Sequence, residues 1–289
     1  MLQRITFLLI SLCLVDTAWA NDAACTIQDF LKLELPSGSD MPTGSEDMTP
    51  LNIGLNSVLL AYPDLELDRE NNQLISTSGK TFSAQKATGQ PPKALLEQPS
   101  FADQFQYVYP LAFDLSARED AWQDPGRIRN DDFMALVYFE SEAAARATLT
   151  SLKSGSGTAT FNVTVKNGVN CQLQAVLDEI GTRHKTFFSN VGGSFNWRKI
   201  SGTNRLSVHS YGAAIDLNAD LGDYWKWRGY KPGKVGKFNN KVPEELVRSF
   251  ERYGFIWGGK WHHFDGMHFE YRPELILYAR ILEKAEITE

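Results

Sequence analysis

Four of the five histidines in this 289-residue chain, His209, His262, His263 and His268, fall in its last third, close to acidic residues. Histidine is the commonest protein metal ligand, so this grouping points first to metal chemistry. One run, from Ser207 to Asp216, holds His209, Tyr211, Gly212 and Ala214; a second, from Trp261 to Glu270, holds His262, His263, Asp265 and His268. Two histidines and one aspartate with a fourth position left to water form a catalytic zinc shell, and His209, Asp216 and His268 supply that set. Such a metal lowers the pKa of its water and polarises a carbonyl. Asp265 stands three residues before His268, so it can sit beside the metal without binding it and take the water proton as general base.

These residues need elements that aim them. Gly212 lets the chain turn, and Ala213–Asn218 then reads as a strand, with Ala214, Asp216 and Asn218 on one face and Ile215 and Leu217 on the other. His268 and Glu270 share a face of a second strand over Met267–Tyr271, and a third is predicted over Tyr253–Trp257. Pro243 opens a helix whose stripe is Leu246, Val247, Phe250 and Tyr253, with Gly254 after it; Pro273 opens the last helix. Upstream, Asp131–Leu152 fits one long helix or two short ones, Thr158–Val165 a strand, and Cys171–Ile180 a helix stopped by Gly181. Helices mixed with short, antiparallel strands give an α+β domain. Residues 21–100 are polar and broken by proline and glycine, with Asn52–Tyr62 as a strand or short helix. They read as an N-terminal extension before a catalytic domain over 101–289.

The pattern Ser-x-His-x-x-Gly-x-Ala-x-Asp over 207–216, followed by Asp-x-x-His over 265–268, resembles the zinc D-Ala-D-Ala metallopeptidases. That group holds vancomycin-resistance carboxypeptidases and dipeptidases and L-alanyl-D-glutamate endopeptidases of phage lysins. The resemblance implies the Hedgehog/DD-peptidase fold, a small antiparallel sheet flanked by helices. It also implies a single zinc ion on His209, Asp216 and His268, with Asp265 as base. The family's oxyanion-stabilising arginine matches Arg198 best, with Arg205 as the fallback. Peptidoglycan stem peptides are the implied substrate, cut at D-Ala-D-Ala or at L-Ala-D-Glu. The alternative is a non-catalytic zinc-containing binding module of the cell wall. The run Gly254–Trp261 also resembles the endopeptidase-like branch, and Asp124-Pro125-Gly126-Arg127-Ile128-Arg129 an element of one exported subgroup.

Around this centre the roles are left in pairs. Ser207 contacts substrate or caps backbone. Tyr211, Trp257 and Trp261 wall the cleft or fill the core. Glu270 orients a ligand histidine or forms a plain ion pair. His262 and His263 are assigned to the cleft rim or an exposed loop, His184 to a helix end or the surface, and Lys226–Lys241 to a solvated loop.

The formal net charge of −6 gives no reason to expect nucleic acid, and a monomer is expected. Arg4, the apolar run Ile5–Val15 and the small residues Ala18 and Ala20 read as a signal peptide cut after Ala20, which makes the protein exported, to the periplasm or cell surface. No later segment is apolar for about 18 residues, so no transmembrane segment is expected in the mature chain. Cleavage removes Cys13. In an oxidising compartment Cys25 and Cys171 then pair, or stay as two buried thiols.

Overall fold

The computed structural model describes residues 25–44 and 47–288, so the leader and its cleavage point lie outside the described residues. Helix α1 (Pro50–Ala61) begins where Thr49 accepts from the Asn52 amide and Pro50 fills the first turn, which settles the open reading of Asn52–Tyr62 as helix. Strands β1 (Leu65–Asp68), β2 (Gln73–Ser76) and β3 (Thr81–Ser83) then form an antiparallel meander, and α2 is the short Pro92–Leu95.

The stretch from 131 to 152 does not stay helical. It breaks into α3 (Asp131–Val137), α4 (Glu142–Arg146) and a strand, β4 (Leu149–Lys153). Asn130 starts α3 by accepting from the Phe133 amide, and a second cap restarts the helix after the break, where Ser141 accepts from the Ala144 amide. Leu149 and Leu152, which carry a helical stripe in the sequence, instead lie on a strand paired with β5 (Thr160–Thr164).

Helix α5 (Val169–Ile180) buries Leu173, Val176, Leu177 and Ile180 and stops at Gly181. Strands β6 (Val191–Gly193) and β7 (Ala214–Asn218) follow. Helix α6 (Glu244–Arg252) buries Leu246, Val247 and Phe250; Pro243 is its extended cap residue, so the helix begins one residue after the predicted start. Then come β8 (Phe255–Trp257), β9 (His268–Tyr271) and α7 (Pro273–Thr288).

The fold is thus α+β, with three small antiparallel sheets among the described residues rather than one. The sheet that carries the candidate site has the order β6-β7-β9-β8. Its register sets Asp216 opposite His268 and Ala214 opposite Glu270, so two candidate ligands are direct cross-strand neighbours on one face. Cross-strand pairs bring Cβ atoms to about 4.5–5.5 Å, the reach of one shared ion. Ile215 and Phe269 occupy the opposite face and are fully buried. The same hydrophobic core takes in Phe30, Leu55, Val58, Tyr62 and Leu74, so residues 25–100 are packed into it, and α1 lies along α7. Cys25 is bonded to Cys171, across 146 residues of sequence. Among the described residues no helix is long and apolar enough to cross a membrane.

Candidate metal centre and active site

His209 sits on a single 3-10 turn, Val208–Tyr211, that Ser207 precedes in extended backbone. Gly212 ends this turn with φ +67°, and a Cβ there would stand 2.9 Å from the Thr164 amide, so glycine is required to bring the chain into β7. Asp216 and His268 project from β7 and β9. His209 Nε2 lies 3.2 Å from His268 Nδ1 and 3.3 Å from Asp216 Oδ1, and the last two atoms are 2.9 Å apart. A tetrahedral zinc with bonds of 2.0–2.1 Å sets its donor atoms about 3.3 Å apart, which this triangle nearly matches.

The outer edge of each ring fixes what the inner edge presents. His209 Nδ1 is 2.6 Å from the Ser194 carbonyl and His268 Nε2 is 3.0 Å from Glu270 Oε2. Both partners accept only, so from these contacts each ring proton is assigned to the outer nitrogen. Two imidazole lone pairs and a carboxylate therefore converge on one point. Three acceptors facing each other in a largely buried site are costly unless a cation lies between them. The surrounding charges agree. Burial opposes a charged Asp216, but His209 and His268 hold its carboxyl far below the usual range. Burial also disfavours a charged His268, yet Asp216 and Glu270 push that ring up to about 10, so when no metal is bound a proton on Nδ1 takes the cation's place beside Asp216. The site thus attracts positive charge, and the residues fit a zinc ion.

A cavity of about 530 Å³ opens over this triangle, lined by Arg127, Arg198, Tyr224, Trp261 and Asp265 among others. Asp265 is held by its backbone: its amide donates to Gly258 O at 2.9 Å and its carbonyl accepts from the His268 amide at 3.1 Å. Its side chain is 23% exposed, toward the cavity, and lies 3.9 Å from Arg127. Burial raises the Asp265 carboxyl, with Asp216 adding to the rise while His268, Arg127 and His209 oppose it. A carboxylate lifted toward neutrality beside a metal-binding triangle has the properties of a general base.

The other sequence-assigned residues divide. Arg198 lines the cavity and is exposed, its amide donating to Ser210 Oγ. Arg205, the fallback, also lines the cavity, but it is 6% exposed and its guanidinium is held by the carbonyls of Leu96, Arg127 and Arg129 and by Asp131. Ser207 is buried and lines the cavity. Trp261 lines it too, beneath the Arg127 guanidinium 4.5 Å from its ring. Tyr211 does not reach the cavity lining; it is buried and stacked on Tyr138. Trp257 is core as well. Glu270 fills both roles left open for it, facing His268 on one oxygen and Arg272 on the other. Burial and the His268 and Arg272 contacts act on it in opposite senses and leave it at about 2.

His262 and His263 are both buried, so the exposed-loop alternative fails, while His263 does line the cavity. His263 Nδ1 contacts Asp124 at 2.5 Å and its Nε2 accepts from the Gly233 amide at 2.8 Å, and His262 Nδ1 lies 2.9 Å from the Arg118 carbonyl. Arg127 and Tyr224 line the cavity, and Asp124 holds the cavity-lining His263; sequence reasoning did not assign these three to the site. The Asp-Pro-Gly-Arg turn was the available signal for Asp124 and Arg127; Tyr224 pairs its backbone with Asp265, and no local signal marks it.

Residues 201–271 match the family model described as D-alanyl-D-alanine carboxypeptidase. The matched stretch contains His209, Asp216, Asp265 and His268 and leaves out Arg127 and Arg198. It supports a metallopeptidase of the zinc-dependent D-Ala-D-Ala peptidase family. No curated protein and no solved structure matches the chain.

Proposed function

We propose that the protein is an exported zinc-dependent peptidase that hydrolyses a stem-peptide bond of peptidoglycan. The observation that carries this reading is the converging triangle of His209 Nε2, Asp216 Oδ1 and His268 Nδ1, with Asp265 beside it at the floor of an open cavity. The family match supports the substrate class.

A zinc ion held by these three residues supplies a water of lowered pKa and a Lewis acid for the scissile carbonyl. The chain's own groups do the rest. Asp265 accepts the proton of the attacking water and later donates it to the leaving amine. Arg198 and Arg127 face the cavity from opposite motifs and offer N–H donors to charge developing on the carbonyl oxygen. Trp261 and Ser207 form parts of the cavity wall that substrate meets. Export is supported by the N-terminal apolar run and by the Cys25–Cys171 bond, which belongs to an oxidising compartment.

Two bonds fit this chemistry, D-Ala-D-Ala at the stem terminus and L-Ala-D-Glu within it. Digestion of purified muropeptides separates them. Release of free D-alanine alone marks a carboxypeptidase, a disaccharide–L-alanine product marks an endopeptidase, and no release from any muropeptide contradicts the proposal.

A further inference from the structure

Behind His268 runs a chain of buried polar side chains that leads away from the cavity. Glu270 takes the His268 ring N–H on Oε2 at 3.0 Å and faces Arg272 Nη1 with Oε1 at 3.3 Å. Arg272 has no exposed surface. Its Nη1 also donates to the Gly126 carbonyl at 3.3 Å, its Nε bonds Glu274 Oε1, and its Nη2 has no partner among the described residues. Glu274, equally buried, takes the Tyr62 hydroxyl on Oε2 at 2.6 Å. Tyr62 is 1% exposed and caps the C-terminal end of α1, outside the segment that carries the metal motifs. Burial, reinforced by the Glu274 charge, holds its hydroxyl well above the usual range, so it remains a donor.

We propose that Tyr62 is a positioning residue for the metal centre, acting on His268 through Glu274, Arg272 and Glu270. The proposal rests on the zinc reading given above and assigns a task to the N-terminal segment. Each link is needed because these side chains are buried and find their partners in one another. A carboxylate that accepts the outer N–H of a ligand histidine fixes its ring and raises its basicity toward the metal. Glu270 can hold that position only while Arg272 holds its other oxygen, and that contact is the longest side-chain link of the chain. Arg272 is steered by Glu274 at one edge and the Gly126 carbonyl at the other. Removing the Tyr62 hydroxyl leaves a buried Glu274 oxygen without a donor, and the cheapest repair is a shift of the Arg272 guanidinium toward Glu274. That shift loosens Glu270 and then His268. Loss of a direct outer partner of a metal ligand costs about 10- to 100-fold in metal affinity, so a partner three steps further out should cost about threefold to tenfold.

The test is zinc affinity, measured by competition with a chromophoric chelator on the folded, disulfide-bonded protein, with the visible spectrum of the cobalt-loaded form as a second readout. Tyr62→Phe is compared with Tyr109→Phe, which removes another buried hydroxyl of the same core, one that donates to Glu251 instead. Zinc binding weakened about threefold to tenfold and an altered cobalt spectrum in Tyr62→Phe, with Tyr109→Phe like the parent, support the proposal. Unchanged affinity in Tyr62→Phe, or equal weakening in both variants, overturns it. Should Tyr62→Phe not fold, Glu274→Gln removes the charge but keeps the shape, and parent-like zinc affinity there overturns it equally. A parent protein that takes up no zinc defeats the zinc reading itself, an outcome distinct from tight zinc binding in parent and variants alike.

Discussion

At the residue scale the decisive groups are an acid and the cation beside it. Arg127 stabilises the ionised form of Asp265 from 3.9 Å and so opposes the rise that burial imposes. A general base works only when ionised, so activity is lost as pH falls through its pKa. Arg127→Gln should therefore move the acid limb of the kcat/KM profile to higher pH, and it should also lower the plateau by removing a donor from the cavity. A pH–rate profile checks this; an unshifted acid limb would show that Arg127 does not act on the base. His209, Asp216, Asp265 and His268 were legible in sequence because each pair is local, seven and three residues apart, and short spacings constrain geometry. Arg127 was legible only as part of a turn, since only the fold carries it to residue 265. Tyr211 misled for the complementary reason: closeness to a ligand in sequence does not decide which side of a turn a ring occupies.

At the element scale, the segment 124–129 ties the two motifs together. Asp124 binds His263, Gly126 offers its carbonyl to Arg272, Arg127 donates to the His263 carbonyl and Arg129 to the Leu206 carbonyl. The turn depends on Gly126, whose φ is +103° and whose added Cβ would lie 2.6 Å from Ile256 Cδ1 and 3.2 Å from Glu270 Oε1. Gly126→Ala should destabilise the fold by about 1–3 kcal/mol, through strain in this left-handed backbone, and depress kcat/KM with it. Urea unfolding reads the first effect, and an unchanged midpoint would contradict it. Strands β7 and β9 were readable from the alternation of polar and apolar residue types along them, although both of their faces are buried, and helix α6 from the 3.6-residue stripe on its one buried face. The stretch from 131 to 152 was readable only in part: the two short helices are there, with Ser141 capping the second, but β4 at its end was missed because its pairing with β5 is not local.

Across the whole molecule, the N-terminal segment is held to the domain at several points. Arg280 donates to the carbonyls of Phe30 and Leu33, Tyr62 reaches Glu274, and Cys25 is bonded to Cys171 on α5. None of these partners is near in sequence, which is why residues 21–100 read only as a polar extension. Closing so long a loop restricts the unfolded chain, so the paired Cys25→Ser and Cys171→Ser replacement should lower stability by about 2–4 kcal/mol, seen as an earlier denaturant midpoint. An unmoved midpoint would mean that the bond contributes nothing to the fold. The central claim is that three residues hold zinc while a fourth, Asp265, performs the proton transfer. Its most direct test is zinc content together with muropeptide release, in the parent and in Asp265→Ala. Stoichiometric zinc in both, with release reduced about 10²- to 10⁴-fold only in the variant, is the expected result; equal release from both, or a parent without zinc, would contradict it.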